Sequence, residues 1–162
     1  MKPLFENVRN LENEQVLRDR PYGVIEIKKG QLVRIQLKPW PKFGSIVEAR
    51  WISSWRCTRG EQDLCRLYYN QPRQHRNYLA LSYIESTFQT SWKSVSRALR
   101  VLDRIAFLKR SEAILTEVTN DHISDRLMLR LGWDRHLTHK RKRHFIKRFY
   151  GEFPVQTELF NA

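Results

Sequence analysis

Two carboxylates and an asparagine-led repeat have the types and spacing for chemistry in this chain. The stretch from Asn120 to Trp133 reads NDHISDRLMLRLGW, and Asn120, Ser124, Met128 and Gly132-Trp133 recur at steps of four. Glu85 and Glu117 stand near the ends of two apolar, β-type runs. A carboxylate placed there can take a proton from an amine, directly or through water. Its ordinary alternative is an ion pair with one of the many arginines. His122 follows Asn120 by two and is a further candidate base, with a solvent-facing loop histidine as the plainer reading. Taken singly, Asn120 beside Asp121 is a turn or cap residue. Gly132 alone is a helix C-cap, and Met128 is core filling.

The elements that must position these residues follow from periodicity. Residues 78–86 (YLALSYIES) are rich in aromatic and β-branched side chains and predict a central strand. From Trp92 to Arg110, Val95, Ala98, Leu99, Leu102, Ile105 and Ala106 fall at steps of three and four, the mark of a helix with one buried face. Thr90 or Ser91 is its N-cap. Residues 113–118 read as a buried strand, 123–131 as a helix ended by Gly132, and 144–150 as a final strand. Strand, helix, strand over this length implies a parallel pair, 78–86 with 113–118, covered by the long helix. Upstream, 24–27 and 32–37 predict a hairpin around Lys28-Lys29-Gly30-Gln31. Helical spacing predicts a helix over 44–56. Leu64, Leu67 and Tyr68 fit a short helix or a strand equally. The expected class is α/β (α+β), a mixed central sheet with helices on both faces. Residues 1–20 form an arm, 21–151 one domain and 152–162 a tail.

Residues 78–150 resemble the cofactor-binding half of GNAT-type N-acetyltransferases. Those domains hold the pantetheine arm of acetyl-coenzyme A where two parallel strands splay apart, and its pyrophosphate on the start of the following helix. The physical basis is general, since the first N–H groups of a helix are unpaired and point at an anion. The family's second motif, an asparagine, a small residue and a Gly-aromatic step at fours, is matched by Asn120, Ser124 and Gly132-Trp133. Its first motif, Gln/Arg-x-x-Gly-x-Gly/Ala, falls on Gln89-Thr90-Ser91-Trp92-Lys93-Ser94. There Trp92 replaces the central glycine, and Lys93 and Arg97 are available as charge. Met128 stands where many members carry a tyrosine that protonates the leaving thiolate, and a thioether cannot donate a proton. Tyr150 or a water would have to serve instead. The resemblance implies acyl-coenzyme A as cofactor, bound by Tyr83, Ile84, Gln89, Trp92, Lys93, Ser94, Asn120 and Ser124. It implies Glu85 or Glu117 as the base that accepts the amine proton. The acceptor amine is left open. The alternative is a GNAT-like domain without catalysis that binds nucleic acid or protein.

Composition bounds the rest. One domain's length of 162 residues, 41% of them hydrophobic, is enough for a single core. The formal net charge is +13, which favours polyanionic partners: RNA, DNA, an acidic membrane or a polyphosphate cofactor. The run from Arg135 to Arg148 holds seven Lys/Arg and no acid. Lys140, Arg141, Lys142, Arg143, Lys147 and Arg148 are therefore a candidate anion or nucleic-acid surface, weighed against a solvated charge run. His136, His139 and His144 lack a metal spacing with nearby ligands, and Cys57 and Cys65 fit neither a metal site nor a disulfide scaffold, so no metal is expected. No apolar run approaches the ~20 residues of a membrane span. The start carries no signal-peptide pattern, and a cytoplasmic location without a membrane partner is the expectation.

Overall fold

The computed structural model describes residues 5–38, 55–58, 62–118, 123–139 and 142–153. Among these, nine strands form one mixed sheet: β1 (Glu6–Val8), β2 (Tyr22–Lys28), β3 (Gln31–Lys38), β4 (Trp55–Thr58), β5 (Leu64–Asn70), β6 (Tyr78–Thr87), β7 (Ala113–Val118), β8 (Asp134–His139) and β9 (Lys142–Arg148). Their spatial order is β1-β3-β2-β5-β6-β7-β9-β8, with β4 paired to β6 off this path. The described helices are α1 (Glu14–Asp19), α2 (Trp92–Leu108) and α3 (Asp125–Arg130).

Local chemistry explains the elements. The β2–β3 hairpin closes through Lys29 and Gly30, both with positive φ (52° and 74°), between the paired Lys28 and Gln31. Two left-handed central residues match the twist of the strands they join. Along β2, β3 and β5 the apolar alternation places Ile25, Ile27, Ile35, Leu37, Cys65 and Leu67 on one buried face. α2 lays Val95, Ala98, Val101, Leu102, Ile105 and Ala106 against that face. Each fully buried Leu or Ile contributes about 1.5–3 kcal/mol relative to exposure. α2 is also tied across the sheet, because Lys147 of β9 donates to Asp103 at 2.7 Å with both side chains largely buried.

β6 and β7 are parallel, as their crossover through α2 predicts. β4 is a second parallel neighbour of β6. Four expectations change or resolve. Trp55 and Arg56, placed by spacing at the end of a helix, belong to strand β4, where pairing with β6 overrides the helical periodicity. The rest of the expected helix, 44–54, lies outside the described residues. β5 resolves the ambiguity at Leu64 as a strand. The last strand is preceded by β8, which pairs antiparallel with β9 to form a hairpin. Residues 5–20, expected as an arm, supply β1 and α1. Val8, Leu11 and Leu17 of that stretch join the core. Among the described residues no helix is long and apolar enough to cross a membrane.

Candidate active site

The candidate site lies where β6 leaves β7. The two strands pair only from Tyr78–Leu81 against Ala113–Thr116. Thr116 Oγ1 then donates to the Leu81 carbonyl at 3.0 Å, closing the paired section. The cause of the parting is visible on the opposite edge of β6. There Tyr69 faces Leu81 and Tyr68 faces Tyr83, so Ser82 is an extra residue, a β-bulge. A bulge bends its strand and sharpens the twist, and is a common device beside active sites. Asn70 Nδ2 donates to Ser82 Oγ at 2.7 Å and fixes it.

Beyond the bulge an apolar cleft opens. Leu81–Ile84 of β6 and Thr116–Val118 of β7 form its walls, and Val95, Leu99, Met128 and Trp133 form its floor. Its cavity is about 50 Å³, room for a few waters on a scale where one needs roughly 10–15 Å³.

The structure brings Tyr83, Ile84 and Glu117 together in the cleft lining, and Glu85 follows on the same strand. Glu85 accepts from the Tyr68 hydroxyl at 3.3 Å and lies 3.7 Å from Arg66, which also binds Glu26 at 2.9 Å. Burial first, then the Glu85 charge, raises the Tyr68 phenol above its ordinary value, so Tyr68 stays a donor. Tyr83 packs on Tyr68 with ring centroids 5.4 Å apart. Arg66 and Tyr68 carried no signal in sequence, because they lie on a short run that fitted helix or strand equally.

The start of α2 is capped by the chain itself. Ser91 is the N-cap, and its hydroxyl accepts from Ser94 N at 3.2 Å. The Asp63 carboxylate then accepts from Ser91 N at 2.9 Å and from the Ser91 hydroxyl at 2.6 Å. Burial works to raise the Asp63 carboxyl, but the hydrogen bonds from Ser91 and Ser94 outweigh it and hold the group below its ordinary value. Ser94 is buried and accepts from Gly30 N at 2.8 Å, so it anchors the β2–β3 turn. A Cβ built on Gly30 would stand 2.8 Å from Lys93 Cδ, so the Lys93 stem lies over that turn. Trp92 is 51% exposed and outside the cleft lining, and Gln89 is exposed. Asp63 lies 28 residues from Ser91, a distance no local motif reports.

Ser124 is the N-cap of α3, accepting from Leu127 N at 3.2 Å. Gly132 ends that helix at φ 81°, and Trp133 N donates back to the Met128 carbonyl at 3.0 Å. Met128 is buried in the floor of the cleft. Asn120 and His122 lie outside the described residues. The basic run is partly neutralised. Arg143 binds Asp125 at 3.1 Å, Arg135 pairs with the same carboxylate group, Arg148 stands 4.0 Å from Asp134, and Lys147 is committed to Asp103. Lys140 and Arg141 lie outside the described residues, as does the side chain of Lys142. Burial, with Asp63 adding to it, pushes the Cys65 thiol up to about 12, which leaves it unreactive. Among the described residues no group of three or more His, Cys, Asp or Glu side chains is arranged to hold a metal ion.

Comparison with protein-family models, curated proteins and solved structures finds no match.

Proposed function

We propose that this chain is a GNAT-type N-acyltransferase that moves an acyl group from acyl-coenzyme A to an amine. One observation carries the reading. The parallel strands β6 and β7 separate at the Ser82 bulge, and α2 starts beyond the open end. That is the arrangement the resemblance over residues 78–150 requires of a pantetheine and pyrophosphate site.

When bound, the coenzyme supplies the thioester acyl group. In the arrangement described it does not fit: the cavity has room for only a few waters, β4 lies on the β6 edge and Asp63 on the helix start. The chain's own part in the reaction is with the acceptor. Glu85, steadied by Tyr68 and Arg66, takes the proton of the incoming ammonium group. Glu117, on the facing strand, is the carboxylate that itself lines the cleft.

A second reading, a non-catalytic domain that binds nucleic acid or protein, draws support from Trp92, Met128 and the closed arrangement. Its basic surface is thinner than composition suggests, because Arg143, Lys147 and Arg148 already face aspartates. The first reading is therefore preferred.

The test is release of free thiol from acetyl-coenzyme A in the presence of a panel of primary amines. Wild type is expected to release thiol with at least one amine, and Glu85→Gln to lower that rate about 100-fold, the scale of a lost general base. Equal rates would remove Glu85 from the reaction. No turnover with any amine, together with no binding of the coenzyme, would sink the reading.

A further inference from the structure

Resting on that reading, we infer that β4 and Asp63 form an intramolecular strap that occupies the ligand's two subsites and must leave before the ligand enters.

The first subsite is the edge of β6. A strand has two edges. At Ile84, Glu85 and Ser86 one edge is held by β5, through Leu67, Arg66 and Cys65. β4 pairs with the same residues, Trp55 to Ile84, Arg56 to Glu85, Cys57 to Ser86 and Thr58 to Thr87, so it takes the other edge. That is the edge β7 holds lower down, at Tyr78–Leu81. The opening left by the diverging strand is therefore filled by the chain's own backbone. An extended, amide-bearing arm needs the same N–H and C=O groups that β4 now uses.

The second subsite is the start of α2. An anion belongs there, and Asp63 provides one, bound to the N–H and hydroxyl of Ser91. The chain next to it is pinned beside the same helix start. The Thr87 hydroxyl donates to the Gln62 carbonyl, Thr90 Oγ1 to the Leu64 carbonyl at 2.6 Å, and Lys29 N to the Asp63 carbonyl at 3.0 Å. A peptide strand at one place and a carboxylate at the other copy a ligand with an amide arm and an anionic end. The copy is held weakly enough to reverse. β4 is four residues long, shorter than an ordinary strand, and Asp63 is only partly buried at the helix start. Ligand and strap then compete, and the closed fraction lowers apparent affinity in proportion.

The experiment is calorimetric titration with acetyl-coenzyme A of wild type, Asp63→Asn and the double variant Arg56→Pro/Cys57→Pro. Consecutive prolines remove an N–H from whichever of the two positions faces β6. Backbone hydrogen exchange of β4 in the wild type is followed with and without the coenzyme. A strap closed nine-tenths of the time predicts about tenfold tighter binding in the proline variant. A smaller gain is expected for Asp63→Asn, and faster exchange of β4 in the wild type when ligand is added. Should the proline variant fail to fold, Asp63→Asn and the wild-type exchange decide the matter. Equal affinities with unchanged or slower exchange of β4 would overturn the strap and leave the acyltransferase reading standing. No binding by wild type or by any folded variant would overturn both.

Discussion

Two aspartates grip α2, and their surroundings send them in opposite directions. Asp103, in the middle of the helix, is buried against Lys147 of β9. Asp63 reaches the first turn from the loop before β5 and is held by Ser91. Burial raises the Asp103 carboxyl, and the 2.7 Å contact with Lys147 only partly offsets it. At Asp63 the order reverses, with hydrogen bonds outweighing desolvation. The ion pair is therefore the one that is costly to bury and costly to break. The cap is cheap to form, and losing it costs less than leaving a buried lysine unpaired. The first fixes α2 on the sheet, while the second leaves the helix start open to exchange.

The largest effect should come from the buried grip. Asp103→Ala strands Lys147 in the core and is expected to cost about 3–5 kcal/mol in urea unfolding. A cost near zero would mean that the pair is solvated and the contrast false. Replacing both partners, Asp103→Leu with Lys147→Met, should recover most of that loss, to within about 1 kcal/mol of wild type, because apolar side chains of similar size carry no desolvation penalty. A double variant as unstable as the single one would make the ion pair itself the source of stability.

The smallest effect belongs to the cap. Asp63→Asn should cost about 0.5–1 kcal/mol at neutral pH, the scale of a weakened cap-type hydrogen bond. Its signature is in acid. A carboxyl held below its ordinary value of 3.8 stabilises the fold fully above that value and loses the contribution as pH falls through the lower, folded-state value. Wild type should therefore lose stability more steeply below pH 3.8 than Asp63→Asn, as read from urea midpoints. Parallel acid limbs would show that the two aspartates differ less than their contacts suggest.

The strand–helix–strand unit is legible from residues alone. Expected ranges 78–86, 92–110 and 113–118 fall within two residues of β6, α2 and β7. Long apolar stripes of one period dominate there, and Ser91 caps as its type suggests. Where the signal is short or mixed, tertiary pairing decides. Trp55 and Arg56 fit a helix until β6 offers an edge, and β5 is too short for its alternation to stand out. The site divides along the same line. Tyr83, Ile84 and Glu117 meet because β6 and β7 part beside the bulge, so residues from both faces of β6 line the opening. Ser94 and Ser124 have the expected types, but the contacts described for them are structural, as anchor and cap. Asp63 is invisible in advance because its importance is a contact across 28 residues.

The bulge at Ser82 also changes parity. Before it, Leu79 and Leu81 turn to the core; after it, Ile84 and Ser86 do, while Tyr83 and Glu85 join Tyr68 and Arg66 on the other face. The odd positions of β6 thus serve the core in one half of the strand and the opposite face in the other. One inserted residue performs this exchange, with no change in any of the side chains exchanged. Deleting Ser82 would leave Leu81, Tyr83, Ile84 and Glu85 alternating regularly against Tyr69, Tyr68, Leu67 and Arg66, so every side chain would keep its face; straightening the strand with Ser82 retained would instead turn Glu85 inward and expel Ile84.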